Sequence, residues 1–245
     1  MPEYYFPKKA MVLAAGLGIR MRPYTATMPK PLVLVAGKPL IDWSLDLLHN
    51  SGVKDVVVNS FYMADMLEAH LRQRQQPHIH ISREEIQLET GGGITRALPL
   101  LGDKPFFSIN SDVICLNGAI PLLHRLAQRW DDATMDALLL VTPTATASGY
   151  DGRGDFHAGP TGKLRRRREW ETAPFVFSGI QMVHPRLFAN APEGAFSMNV
   201  LWNRSIDAEK NLHRVWGLPH DGMWLHVGDP QGKREAERKL ETVDA

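Results

Sequence analysis

Short apolar runs alternate with stretches of helical period through the first half of the chain. Residues 10–15 (AMVLAA) predict a buried strand that stops at a glycine turn. In 39–50 (PLIDWSLDLLHN), Leu40, Trp43, Leu47 and Leu48 fall on one helical face, and Gly52 stands where a helix ends. Residues 55–59 (DVVVN) predict a second strand and 64–74 a second helix. Two more strands are predicted at 79–82 and 106–110 (FFSIN), with a helical stretch at 94–101 between them. Strands that read as continuous apolar runs and are separated by helices imply a sheet covered on both faces. The expected class is α/β: a Rossmann-like, mixed but mainly parallel sheet flanked by helices.

The pattern changes after the apolar run 137–142. Gly149, Gly152, Gly154, Gly159, Pro160 and Gly162 punctuate the next stretch of chain and predict hairpins and a smaller β lobe beside the sheet. Residues 172–183 and 224–227 predict late strands. A last helix is expected at 230–240, with Asp229 as its N-cap and Pro230 at the first helical position. One domain over 1–245 results, with a nucleotide-type half (10–142) and a substrate-shaping half that ends in a C-terminal helix (143–245).

Composition narrows the class of partner. Lys plus Arg number 28 against 27 Asp plus Glu, a net charge of +1, so nothing global draws the chain to nucleic acid or to an anionic membrane. Cys115 is the single cysteine, which excludes an internal disulfide framework and a multi-thiolate zinc site. No apolar run nears the roughly 20 residues of a membrane span, and the opening MPEYYFPKK lacks a signal-type apolar stretch. A cytoplasmic protein, monomeric or a small homo-oligomer, is expected.

Chemistry concentrates in 13–32, LAAGLGIRMRPYTATMPKPL. A strand ends in small residues, and Gly16 and Gly18 let backbone amides approach a ligand without Cβ interference. Arg20, Arg22 and Lys30 add fixed positive charge, and Pro29 and Pro31 stiffen the backbone around the lysine. This is a phosphate cradle whose charge suits a triphosphate. A dinucleotide turn would need a third glycine where Met21 stands, and no P-loop string occurs.

Asp112, just past the apolar run 106–110, is expected at the C-terminal end of a strand, where open α/β sheets bind ligands. A carboxylate there suits a Mg²⁺ that bridges phosphate oxygens. Gly91, Gly92 and Gly93 would let backbone lie flat against a base or sugar, or present amides at a helix N-terminus. The run Arg165 to Arg168 reads as a solvated face, Cys115 as a buried small hydrophobe, and Trp43, Trp130 and Trp202 as packing residues. His78, His80, His124 and His213 show no metal-ligand spacing.

The 13–32 string resembles the signature of the sugar-1-phosphate nucleotidyltransferases, also called nucleoside-diphosphate-sugar pyrophosphorylases. The likeness continues in 89–93 (ETGGG), 110–112 (NSD), 152–156 (GRGDF), 178–180 (SGI) and 224–229 (WLHVGD). It is strongest toward short bacterial members that join UTP to N-acetylmuramic acid 1-phosphate in cell-wall recycling. Nothing in the chain corresponds to the C-terminal β-helix of some longer relatives.

The resemblance implies nucleotide contacts at Leu13, Ala14, Ala15, Gly16, Gly18, Ile19, Arg20, Lys30, Gly91 and Gly92. Asn110, Asp155 and Gly179 would hold the sugar, and Arg20 and Lys30 would carry the catalysis. Asp112 would bind Mg²⁺. Relatives read Asp-Val-Gly-Thr where this chain has His226-Val227-Gly228-Asp229, so His226 takes the place of the second metal ligand. Guanylyl, thymidylyl or uridylyl transfer to mannose or glucose 1-phosphate stays open, as does a nucleotide-binding module without turnover. Arg153 is a candidate partner for the carboxylate of N-acetylmuramate.

Overall fold

The computed structural model describes residues 4–206 and 213–242. From the amino end run β1 (Lys9–Leu13), the short pair β2 (Leu34–Val35) and β3 (Lys38–Pro39), then α1 (Leu40–Asn50) and β4 (Asp55–Ser60). Next come α2 (Ala64–Leu71), β5 (His78–Arg83), α3 (Glu89–Leu101), β6 (Phe106–Asn110), β7 (Val113–Cys115), α4 (Leu122–Arg129) and β8 (Ala137–Pro143). The second half holds β9 (Phe156–Ala158), β10 (Leu164–Arg166), β11 (Phe175–Val183), α5 (Met198–Ile206), β12 (Val215–Pro219), β13 (Trp224–His226) and α6 (Pro230–Glu241).

The main sheet is mixed, as expected. Its path runs β5-β4-β1-β6-β11, and β8 and β12 extend it beyond β11. The pairs β1–β4, β1–β6, β4–β5 and β8–β12 are parallel, and β11 is antiparallel to both β6 and β8. The β9–β10 hairpin joins at Phe175 opposite Phe156 and forms the side lobe. Apolar side chains alternate between the two faces of the strands: Val56 and Val58 pack toward α1, α2 and α4, and Val57 toward α3 and α5. No helix among the described residues is long and apolar enough to cross a membrane.

Three details depart from the pattern-based expectation. On α1 the buried stripe is Leu40, Ile41, Leu45 and Leu48, with Trp43 and Leu47 only half-buried; Leu47 packs at the edge of the sheet-side core, and Trp43 against the separate cluster of Val33, Val35 and α6 under the Lys38 ammonium. The helix starting at Glu89 takes in Gly91 to Gly93, although glycine disfavours helices by about 1 kcal/mol each relative to alanine. Tertiary packing overrides that propensity. Helices α4 and α5 and strand β12 fall where no element was expected.

Topology places the site. Strand β1 lies between β4 and β6, with chain connections departing to opposite sides, so a crevice opens beyond the C-terminal ends of β1 and β6. That is the switch point at which open α/β sheets bind ligands.

Candidate active site

Beyond Leu13 the chain is pinned before it turns. The Ala14 N–H donates to Asn59 Oδ1 at 2.7 Å, and Asn59 Nδ2 donates to Glu84 Oε1 at 2.7 Å. The Leu88 N–H donates to Glu84 Oε2 at 3.0 Å, so one buried carboxylate and one buried amide tie β1, β4 and the start of α3 together. Gly18 has φ of 65°, and a Cβ there would stand 2.9 Å from Thr25 Cγ2 and 3.0 Å from Lys30 Cβ. Glycine is therefore required at Gly18 both by backbone conformation and by the closeness of Lys30. Gly16 faces open space.

Lys30 opens a 3-10 turn between Pro29 and Pro31, and its Nζ meets Asp112 Oδ2 at 2.8 Å. Both side chains keep partial exposure, 12% and 27%. Burial works against ionisation of Asp112, but the charges of Lys30, His226 and Arg20 outweigh it and hold the carboxyl below its ordinary range. Asp112 is thus an anion at neutral pH, flanked by cations.

A cavity of about 590 Å³ is lined by Leu13 to Arg20, Lys30, Asn110, Ser111 and Asp112, together with Asn59, Gln87, Glu89 and Thr90. Its size falls in the range of small-molecule sites. A second cavity of about 210 Å³ shares Leu13, Thr90, Asn110 and Ser197 with the first and is completed by Asp155, Arg166 and Trp202. The phosphate cradle lines the first cavity, Asp155 the second and Asn110 both, so the two adjoin along shared wall residues. The Phe177 N–H donates to Asp155 Oδ2 at 3.0 Å, which fixes the carboxylate's orientation.

Other predicted residues lie elsewhere. The N–H groups of Gly91 and Gly92 both donate to the carbonyl of Phe196, at 2.8 and 3.1 Å, and neither glycine lines a cavity. A Cβ on Gly91 would meet the Phe196 ring at 2.3 Å, and one on Gly92 the Gly194 carbonyl oxygen at 2.4 Å. These glycines make room for the segment before α5, and Gln87, Glu89 and Thr90 take the cavity wall. Gly179 sits at the irregular register of β11 with φ of 80°, against Val113 and Asn110 and not at the cavity surface. Arg153 is exposed and lines neither cavity.

His226 reaches the site through pairing that joins distant segments. Strand β13 runs antiparallel to β7 with His226 opposite Val113, and the Val227 N–H donates to the Asp112 carbonyl at 2.9 Å. The His226 ring stacks on Trp224 (5.8 Å between centroids, 2° between planes), with Nδ1 3.2 Å from the Gly149 carbonyl oxygen. Gly228 lies against that ring and lines the main cavity. Asp229 caps α6 by accepting from the Gly232 N–H at 2.8 Å, as expected, which leaves the position beside Asp112 to His226.

The arginine run is only in part the solvated face expected: Arg165 and Arg168 are exposed, and Arg166 and Arg167 are half-buried. Arg165 pairs with Glu171 at 2.9 Å, and Arg167 donates to the carbonyl of Gly154 at 3.0 Å and to three further carbonyls. Arg166 faces the second cavity, since alternate residues of β10 point to opposite sides. His78 and His80 are corrected too: with Asp55 they bring three donor atoms within 4.8 Å of one another, at the end of the sheet remote from the crevice. Parallel pairing of β4 with β5 creates that cluster, which no linear spacing reveals. Cys115 is buried, and burial pushes its thiol up, so it is no nucleophile.

Residues 9–154 match the family described as Nucleotidyl transferase. A Caulobacter vibrioides protein named N-acetylmuramate alpha-1-phosphate uridylyltransferase is 46% identical to the chain, covering 96% of it and 97% of the relative. The chain belongs to the nucleotidyl transferase family. A Neisseria meningitidis protein of the same name is 33% identical over 94% of the chain and 96% of its own length. A solved structure titled as UDP-glucose pyrophosphorylase complexed with UDP-glucose superposes with a TM-score of 0.77 over 97% of the chain and 100% of its own, at 16% identity. The likeness in shape carries the fold, and the sequence relatives make the protein a sugar-1-phosphate nucleotidyltransferase. Sequence reasoning missed Asn59, Gln87, Thr90, Ser197 and Arg166 as site residues. Asn59 carried a signal as a polar residue closing an apolar strand beside β1, Thr90 lies within the 89–93 block and Arg166 within the arginine run.

Proposed function

We propose that the protein transfers the uridylyl group of UTP to N-acetylmuramic acid 1-phosphate, giving UDP-N-acetylmuramic acid and pyrophosphate for peptidoglycan recycling in the cytoplasm. The observation that carries this reading is the Lys30–Asp112 pair, 2.8 Å apart, at the wall of a cavity that adjoins a second one lined by Asp155. A sugar-phosphate oxygen attacks the α-phosphorus in line, the bond to the bridging oxygen breaks, and pyrophosphate leaves. The attacking phosphate is already ionised, so no protein nucleophile is required. Lys30 neutralises charge between the α-phosphate and the incoming sugar phosphate, and Arg20 does so at the leaving pyrophosphate. The amides of 15–18 and the conformation of Gly18 keep the triphosphate against β1, while the Ala14 amide is held by Asn59.

Asp112 suits Mg²⁺ because it is an ionised oxygen donor beside the phosphate cradle, and Mg²⁺ is commonly held by one or two carboxylates plus substrate phosphates. When bound there, the ion would neutralise triphosphate oxygens. His226 keeps the neighbouring position, where it acts on the Asp112 carboxylate and would stand next to the ion. A nitrogen at that position weakens preference for Mg²⁺.

The test is pyrophosphate release with UTP, GTP, dTTP and ATP, each against the 1-phosphates of N-acetylmuramic acid, N-acetylglucosamine, mannose and glucose. UTP with N-acetylmuramic acid 1-phosphate should be the best pair by at least tenfold. A better pair of another base and sugar would replace the reading, and no release from any pair would indicate a binding module.

A further inference from the structure

We infer that Arg166 is a specificity-determining residue that selects sugar 1-phosphates bearing a carboxylate on the sugar. This rests on the function proposed above and names the group that would read the acidic substituent. Arg166 lines the second cavity together with Asp155 and Asn199. Its guanidinium lies 4.7 Å from the centre of the Phe156 ring, and its Nη2 donates to Asn199 Oδ1 at 2.6 Å. No carboxylate of the described residues lies within 4.0 Å of it, unlike its neighbour Arg165, which pairs with Glu171. The nearby Asp155 is oriented instead by the Phe177 amide.

A cation half-withdrawn from water against an aromatic ring, held by a neutral amide, and on which Asp155 acts only from beyond ion-pair distance, is costly unless a further anion arrives. Burial already pulls the guanidinium below its ordinary value, which reflects that cost. The planar guanidinium keeps donors free for a bidentate carboxylate. A neutral sugar would use Asp155 through its hydroxyls and leave Arg166 unmatched.

The experiment compares kcat/KM for N-acetylmuramic acid 1-phosphate and N-acetylglucosamine 1-phosphate, which differ by the lactyl carboxylate, in the unaltered enzyme, Arg166→Ala and Arg166→Lys. Arg166→Ala should lose roughly 10- to 100-fold on the acidic sugar, the scale of one hydrogen bond to a charged group, and under threefold on the neutral one. Arg166→Lys should recover part of the loss. Equal losses on both sugars, or none on either, overturn the inference. If the unaltered enzyme turns over neither sugar with UTP, the functional reading itself fails, and this inference with it.

Independently, the geometry points to a surface site for a borderline transition-metal ion such as Zn²⁺ at Asp55, His78 and His80. Asp55 Oδ1 lies 3.3 Å from His78 Nδ1 and 3.2 Å from His80 Nε2. Donors about 2.0–2.1 Å from a tetrahedral ion stand roughly 3.3 Å apart, so the two Asp55 spacings already match a coordination shell, and all three donor atoms lie within 4.8 Å of one another. His78 and His80 share one face of β5 as residues two apart, and Asp55 stands beside His78 in the parallel register. Two imidazoles and one carboxylate favour zinc over Mg²⁺, and partial exposure leaves a coordination position for water. In calorimetric titration with Zn²⁺, the His78→Ala/His80→Ala variant should bind one equivalent fewer than the unaltered protein, with Mg²⁺-supported turnover unchanged. Equal stoichiometry in the two proteins overturns the site.

Discussion

Replacing Lys30 by alanine removes the cation that sits 2.8 Å from Asp112 and faces the main cavity. Loss of one preorganised contact to developing charge costs about 2.7–4 kcal/mol in the transition state, or 100- to 1000-fold in kcat. Folding should suffer far less, because Asp112 keeps 27% exposure and retains His226 and Arg20 as positive neighbours. The Lys30→Ala protein should therefore melt within a few degrees of the unaltered one. Asp112→Ala should show a similar loss of turnover. The double variant should be no more than about tenfold worse than the poorer single, since groups that act as a unit are strongly non-additive. Steady-state pyrophosphate release with saturating UTP and sugar phosphate, in parallel with thermal melts, measures all of this. A kcat within tenfold of normal for Lys30→Ala, or fully multiplicative losses in the double variant, would refute the shared role.

Three further outcomes are expected. Gly91→Ala drives a methyl into the Phe196 ring and should destabilise by about 1–3 kcal/mol in urea titration, without a selective rise in the KM for UTP. His226→Asp supplies an oxygen donor next to Asp112, so activity should persist with half-saturation at a lower Mg²⁺ concentration; an unchanged Mg²⁺ dependence would remove His226 from the metal's surroundings. Burial lowers the folded-state values of His220 and His184 below that of free histidine, so they stabilise the fold above about pH 6.5 and lose that contribution as pH falls through their folded values. Melting temperature should accordingly decline on acidification from pH 7 to 5, and a flat profile would contradict it.

The amino-acid sequence by itself determined whatever depends on neighbours along the chain. The apolar runs of β1, β4 and β6, the helix cap at Asp229 and the glycine-and-proline geometry that presents Lys30 are local, because period, propensity and backbone freedom are properties of a few adjacent residues. Asp112 was legible for the same reason, as a carboxylate just past an apolar strand. Tertiary structure alone decided the rest. Pairing of β13 with β7 carries His226 to Asp112 from more than a hundred residues away, and the close approach of Phe196, whose carbonyl takes both amides, packs Gly91 and Gly92 against the segment before α5. The facing of Arg166 comes from a strand register, which inverts every side chain if shifted by one residue. Distances between side chains far apart in sequence are set by how sheets and helices close over a common core, and no linear pattern encodes that closure.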